Sequence, residues 1–214
     1  FEDRAVIVAD STGGPFDGNV YVANLRIPTS NPPLIQFSRS IDGGLSYSTP
    51  VRINDAVDCL NAAADVGPNG EVYVAWRRSG TILLDVSLDG GASFGADRLA
   101  ATIHPLPDPL PSASFRMQTM PSLAVARHGP DQGALYLVWP DNSGPLGTPD
   151  VLFSRSGDGG ASWSTPIRVS DDTNGSYQWF PIVAVAPEGT ITVAFYDRRQ
   201  FPNSPRYDVY VAQS

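Results

Sequence analysis

The sequence predicts an all-β fold, a β-propeller of four-stranded antiparallel blades with about three and three-quarter blades present. Three observations predict it. An eight-residue turn occurs three times, the same apolar runs surround each copy in the same order, and no stretch carries a helical period of useful length.

The turn reads Ser-x-Asp-Gly-Gly-x-Ser-aromatic. Its copies are built on Ser40, Asp42, Gly44 and Tyr47, on Ser87, Asp89, Gly91 and Phe94, and on Ser156, Asp158, Gly160 and Trp163. Each part has a physical task. The short Asp carboxylate accepts hydrogen bonds from the turn's own N–H groups. The double Gly supplies positive φ with no Cβ clash. The closing aromatic is expected to tuck under the turn and tie it to its strands.

Four runs recur around the turns. The first occupies residues 5–9, 63–66, 122–126 and 181–186, and the second 19–24, 71–76, 134–139 and 190–195. The third occupies 34–38, 81–86, 150–154 and 208–212, and the fourth, after the turn, 50–53, 96–99 and 166–169. The second run is the clearest: Val72-Tyr73-Val74-Ala75 and Leu135-Tyr136-Leu137-Val138 are continuous β-formers, as in strands buried on both faces. Asp-Gly, Asn-Gly or Glu-Gly precedes it in three repeats, a hairpin signal. The turn aspartates are 47 and 69 residues apart, and a Pro-rich insertion accounts for the longer interval. The chain therefore reads as a single domain with blades at about 1–54, 55–100, 121–170 and 171–214 and an insertion at 101–120. The fourth blade lacks its fourth strand. This predicts a piece of a longer propeller, or a partial ring that self-associates through its open sheet edges.

Composition narrows the function. With 214 residues, 42% hydrophobic and 17% charged, the chain can bury one core. Net charge is −8, and all 14 basic residues are Arg. An acidic chain without a basic cluster argues against nucleic acid and against anionic membrane surfaces as partners. No apolar run is long enough for a membrane-crossing helix. Phe1 in place of an initiator Met, with no signal peptide, reads as a processed or cut start. The single cysteine, Cys59, forms no internal disulfide and reads as a small buried hydrophobe or as the partner of a thiol elsewhere.

Chain direction sorts the loops onto two rims. The aspartate turns share one rim with the hairpins between first and second strands. The long, variable loops lie on the other, and binding residues are expected there. Those loops carry Arg26, Arg77, Arg78, Arg116, Arg198 and Arg199, with Asp141, Asp197, Tyr177, Trp179 and Tyr196. Arg forks, carboxylates and aromatics suit an acidic sugar, because a guanidinium grips a carboxylate through two parallel bonds. Tyr196-Asp197-Arg198-Arg199 is the densest such cluster, and Arg77, Arg78 and Trp179 complete the candidate ligand-binding set. Trp179 either stacks on a sugar ring or packs under the next strand.

Other motifs carry less. Gly91-Ala92-Ser93-Phe94-Gly95 fits a nucleophile elbow but lies in a strand-to-strand turn. His104 and His128 have no metal-ligand spacing. Asp171-Asp172-Thr173-Asn174-Gly175 offers oxygens for Ca²⁺ but lacks the Glu that closes a calcium loop. No cofactor and no metal site are expected.

The three turns resemble the Asp box of BNR-repeat, sialidase-like β-propellers. The stretch from Glu188-Gly189-Thr190 through Tyr196-Asp197-Arg198-Arg199 to Tyr207-Asp208-Val209-Tyr210 is similar to bacterial secreted members. The resemblance spans nearly the whole chain. It implies a secreted, extracellular or periplasmic protein whose boxes are structural and far from any active site. It further implies, for members that are sialidases, an Arg triad on the substrate carboxylate, an Asp acid/base, a Tyr–Glu nucleophile pair and a Tyr/Phe-Arg-Ile-Pro motif. Leu25-Arg26-Ile27-Pro28 resembles that motif, but it follows a second strand where the family places the motif before one. The chain has three glutamates: Glu71 and Glu188 fall on the rim of the turns, and Glu2 lies near the start. The expectation is a non-catalytic propeller binding a glycan or an extracellular protein. The alternative is part of a sialidase-like glycoside hydrolase for acidic sugars, with Arg77, Arg198 and Arg199 binding substrate and Asp197 or Asp141 as acid/base. Its site would be completed by further blades or a second chain. A hydrolase working with two Asp residues is a further variant.

Overall fold

A computed structural model describes residues 2–109, 117–144 and 147–214. Among these described residues the runs fold as fifteen strands in four antiparallel sheets. Blade 1 is β1 (Glu2–Ala9), β2 (Val20–Arg26), β3 (Leu34–Ser40) and β4 (Val51–Arg52). Blade 2 is β5 (Cys59–Val66), β6 (Val72–Arg78), β7 (Thr81–Ser87) and β8 (Arg98–Thr102). Blade 3 is β9 (Ser122–Val125), β10 (Leu135–Asp141), β11 (Asp150–Ser156) and β12 (Ile167–Arg168). Blade 4 is β13 (Gln178–Val185), β14 (Ile191–Asp197) and β15 (Asp208–Gln213). Sequential strands are neighbours in every sheet, so each blade is a simple meander.

Period-two alternation gives each blade a front and a back. Tyr21, Ala23, Ile35 and Phe37 on the front of blade 1 pack on Val72, Val74 and Trp76 on the back of blade 2. The front of blade 2, with Tyr73, Ala75, Ile82 and Leu84, packs on Leu135, Leu137 and Trp139 of blade 3. Tyr136, Val138, Val151 and Phe153 then meet Val193 and Phe195 of blade 4. On the fronts of blades 1 and 2 a small residue, Ala23 or Ala75, shares the core with Trp76 or Trp139 of the facing back. This pairing explains why residues 72–76 of β6 and 135–139 of β10 are continuously apolar: both of their faces are covered.

The two outward faces differ. In blades 2, 3 and 4 the back carries the cross-strand pairs Trp76–Leu83, Trp139–Leu152 and Phe195–Tyr210. The matching pair in blade 1 is Asn24–Gln36. The outward front of blade 4 remains apolar, and Ile182, Val209 and Val211 are exposed there.

The inner strands β1, β5 and β13 begin earlier than their apolar runs. A bulge interrupts each ladder, between Asp3 and Val6, Leu60 and Ala63, and Trp179 and Ile182. The extra residue adopts a left-handed conformation: Arg4 at φ 48°, Asn61 at φ 57° and Phe180 at φ 47°. That conformation is strained for a non-Gly residue. The bulge also breaks the alternation that marks a strand in sequence, so the first turn of each inner strand is hidden there. Cys59 is fully buried in the core between blades 1 and 2, and burial pushes its thiol up to about 12.

The three aspartate turns have one bonding pattern. In the first, Ser40 Oγ donates to Asp42 Oδ1 at 2.6 Å and accepts from Gly44 N at 2.8 Å. Ser46 N and Ser46 Oγ donate to the two Asp42 oxygens at 2.9 and 2.5 Å. Asp89 and Asp158 repeat these bonds. In the second and third turns the closing aromatic, expected beneath its own turn, reaches the preceding blade, whereas the Tyr47 hydroxyl stays beside Gly44 of its own turn. Phe94 sits edge-on to Phe37 of blade 1 at 4.7 Å, and Trp163 packs on the core between blades 2 and 3. Tyr47 of blade 1 remains exposed.

The Ser side chains and backbone amides around Asp42, Asp89 and Asp158 hold each carboxyl down at about 2. A folded-state value below the unfolded one stabilises the fold above the unfolded value, near 4, and that stabilisation is lost as pH falls toward 2. Urea midpoints measured from pH 5 to pH 2 are expected to drop over this window. In the triple variant Asp42→Asn, Asp89→Asn, Asp158→Asn, the drop is expected to flatten.

Candidate functional site

The inner strands surround a cavity of about 690 Å³ that opens along the exposed front of blade 4. Val6, Ala63, Leu123 and Val183 line its depth, and Met120, Phe180 and Tyr196 line its mouth on the long-loop rim. The bulges position one mouth residue and a neighbour of another. Phe180 is the left-handed residue of β13, and Arg4, its counterpart in β1, donates Nη1 to the sulfur of Met120. A β-bulge re-aims a side chain away from the ladder, and here it directs Phe180 to the opening and Arg4 to Met120 beside it.

Aromatic rings form one wall. Tyr196 stands 6.2 Å from Phe180 and 4.7 Å from the exposed Tyr207. Trp179 backs them, 6.0 Å from Tyr196 and 5.3 Å from Tyr207. Trp179 itself is buried on Leu106 and Met117 of the insertion. It packs, and the neighbouring rings offer the open surface. Among the described residues no carboxylate forms an ion pair with Arg4, so its guanidinium is held at the mouth by the Met120 contact.

The Tyr196-Asp197-Arg198-Arg199 cluster divides by burial. Arg198 is 0% exposed, lies 5.9 Å from the centre of the Tyr177 ring and donates Nη2 to Pro202 O at 3.3 Å. Arg199 binds Asp197 through Nε and Nη2 at 2.7 Å each and Asp171 through Nη1 at 2.5 Å, and it lies 4.1 Å above the Tyr210 ring. Burial alone would lower the Arg199 pKa, but the bonds to Asp197 and Asp171 outweigh it and raise the value. Both guanidiniums hold the 197–207 loop, while Tyr196 faces the mouth.

Asp197 and Asp141 occupy equivalent places at the ends of β14 and β10, and both are buried with their oxygens engaged. Asp197 accepts from Arg199 N at 2.6 Å and Ser176 Oγ at 3.3 Å in addition to the guanidinium. Asp141 accepts from His104 N, Ser143 N and Trp139 Nε1 at 2.9, 2.9 and 3.2 Å. Arg26 and Arg78 fill the same place in blades 1 and 2. Arg26 pairs with Glu2 at 2.6 Å, and Arg78 donates to Val57 O at 3.0 Å. Glu2 therefore sits on the mouth rim with its carboxylate held by Arg26 and Asn24. Arg77 donates Nε to Ser79 O at 3.2 Å; burial lowers its pKa against the attraction of Asp58 and Asp108. In the 171–175 loop, Asp171 binds Arg199 and Asp172 binds Arg168 at 2.5 Å. Arg116 lies outside the described residues.

The long-loop rim thus holds Tyr196, Arg77 and Arg78 near its surface and places Asp197, Arg198 and Trp179 beneath it. Phe180 at the mouth, and Arg4 and Tyr207 beside it, are residues that sequence reasoning missed. For Arg4 and Phe180 the signal was a shared offset: Arg4-Ala5-Val6, Asn61-Ala62-Ala63, Met120-Pro121-Ser122 and Phe180-Pro181-Ile182 align two residues before the inner strand's ladder.

No protein-family model matches the chain, and no curated protein sequence does. Solved structures do. An α-L-arabinanase from Penicillium chrysogenum, complexed with arabinobiose, superposes over 100% of this chain and 62% of its own, with TM-score 0.72 and 14% identity. The intramolecular trans-sialidase of Ruminococcus gnavus, in complex with oseltamivir carboxylate, superposes over 97% of this chain and 42% of its own, with TM-score 0.62 and 18% identity. A leech intramolecular trans-sialidase gives TM-score 0.62 at 17% identity over 97% of this chain and 30% of its own. The chain spans less than two thirds of the length of each. These likenesses establish a sialidase-like propeller fold.

The division by burial gives a direct test. Asp197→Ala leaves the half-buried Arg199 without its inner partner and is expected to cost about 3–5 kcal/mol in urea denaturation. Asp171 is 83% exposed in its side chain, and Asp171→Ala is expected to cost about 1 kcal/mol or less.

Proposed function

We propose that this chain is a glycan-binding propeller of extracellular or periplasmic location, whose ligand lies at the cavity mouth and is held there without cleavage. One observation carries the reading: the Phe180–Tyr196–Tyr207 wall stands beside an opening of about 690 Å³, with the Arg4 guanidinium joined to that opening through Met120. Aromatic faces stack on the apolar face of a pyranose or furanose, and a guanidinium selects a carboxylate-bearing sugar over a neutral one. That proteins of this fold are complexed with arabinobiose or an iminosugar inhibitor in their solved structures supports the same class of ligand. Saturation of Asp141 and Asp197 by internal donors, and pairing of Glu2 with Arg26, favour binding over hydrolysis, since a general acid or base must reach the substrate proton.

A second reading, part of a glycoside hydrolase for acidic sugars, is favoured by one feature. Asp58 is an exposed carboxylate held at φ 69°, and it is the foremost charge acting on Arg77. In that reading Asp58 is the acid/base, and the rest of the machinery comes from blades or a chain covering the open side.

A glycan array read for retention and for released product separates the two. Binding of acidic glycans without turnover is expected. Tyr196→Ala is expected to weaken it by about 10-fold, the worth of one stacked ring. Arg4→Ala is expected to remove the preference for acidic over neutral glycans, a loss of about 10- to 100-fold for a charge-assisted bond. Turnover that disappears in Asp58→Asn would establish the hydrolase reading instead. Retention unchanged in both mouth variants would overturn the assigned site.

A further inference from the structure

A second cavity lies at the periphery, where blades 2 and 3 meet. There β8 runs beside residues 162–166, the segment between the third aspartate turn and β12. A groove of about 390 Å³ separates them, a volume within the usual range of small-ligand pockets. Blade 1 covers the back of blade 2 and blade 4 covers the front of blade 3, so both walls belong to four-stranded blades packed inside the stack.

The lining combines an aromatic platform with free hydroxyls. Trp163 packs on the core between the two blades but is only half-buried, and the part of the indole that the core leaves uncovered lines the groove. Leu99, 56% exposed, extends the apolar wall from β8. Thr102 at the end of β8 and Thr165 on the facing wall are exposed, and neither hydroxyl has a partner among the described residues. The serine hydroxyls are engaged instead: Ser162 Oγ donates to Asp158 at 2.5 Å, and Ser164 Oγ accepts from Arg155 N at 3.0 Å. Among the described residues no charged side chain lines the groove. The equivalent groove between blades 1 and 2 differs on each count. Phe94 stands there in place of Trp163 and Gly95 in place of Ser164. Arg52, opposite Gln36 as Leu99 is opposite Leu83, brings a guanidinium that donates to Asn54 O at 2.6 Å and to Asp55 O.

We propose that the groove between blades 2 and 3 is a binding site for a neutral pyranose sugar, separate from the cavity mouth. The C–H face of the sugar lies on Trp163 and Leu99, and its hydroxyls bond Thr102 and Thr165, each of which can donate one hydrogen bond and accept others. A carboxylate-bearing sugar would find no cation in this lining, so the groove selects against the acidic ligand assigned to the mouth. The chain thus holds two sites of opposite preference, one with a guanidinium beside its aromatic wall and one with hydroxyls alone.

Trp163 reports on its own site. Of the four tryptophans, Trp76, Trp139 and Trp179 are at most 1% exposed, so acrylamide quenching of tryptophan emission reads Trp163. Methyl β-D-galactopyranoside and methyl β-D-glucopyranoside are the probes. At least one is expected to protect the emission saturably, with a Kd of about 1–10 mM. The counterpart of that sugar with a carboxylate at C6 is expected to bind at least about 10-fold more weakly. Thr102→Val and Thr165→Val, at exposed positions that the fold tolerates, are each expected to weaken protection about 5-fold, the worth of one hydrogen bond. Protection lost in Tyr196→Ala would put the sugar at the mouth and overturn the proposal. So would equal protection by sorbitol or by the carboxylate counterpart, protection unchanged in both threonine variants, or no protection by either probe up to about 50 mM.

Discussion

Everything in this molecule depends on how one blade's front fits the next blade's back. A small residue, Ala23 or Ala75, stands in the middle of a front, and Trp76 or Trp139 stands on the back that meets it. The contact works only when two sheets lie face to face, so no blade has a complete core alone. Backbone bonding within each meander is local and undemanding. The packing between meanders selects the register, because a shift of one residue would exchange the alanine and tryptophan faces.

The same arrangement builds the mouth. Inner strands crowd together near the axis, and β1, β5 and β13 each accommodate this with a bulge and a left-handed residue. Strain of that kind persists where surrounding contacts over-determine the backbone. Here Asn61 is fixed by Gln118 and Thr119, and Phe180 by Trp179 and Tyr196. The insertion contributes Leu106 and Met117 beneath Trp179, so a segment without a repeat counterpart supports the aromatic wall. The loop after β14 is held from below by Arg198 and Arg199, while Tyr196 lines the opening.

Much of the architecture was legible in the chain because repetition multiplies weak signals. One apolar run such as Val72-Tyr73-Val74-Ala75 is ambiguous, but four such runs beside three Ser-x-Asp-Gly-Gly-x-Ser-aromatic turns are not. The missing fourth strand of the last blade was visible in the same alignment. The early residues of the inner strands were not, since a bulge inserts a residue and destroys the period of two. The site was harder still. Sequence places Arg198 and Arg199 on a long loop but cannot show which way they point, and burial under Tyr177 and against Asp197 makes them supports. Arg4 escaped notice because its significance lies in convergence with Met120 and Phe180, residues far away in the chain. Trp163 and Phe94 illustrate the same limit: their turns were evident, but their partners across the blade boundary were not.

The unequal outward faces give the stack a direction. Blade 1 carries Asn24 and Gln36 where every other back carries an aromatic residue, so that face is the more polar one, although Ile7 is exposed on it. Blade 4 ends on the exposed Ile182, Val209 and Val211. Covering the blade 4 face would bury exposed aliphatic side chains, whereas covering the blade 1 back would bury two carboxamides. The stack is therefore sticky on one side and reluctant on the other, and that polarity decides which end gains by being covered.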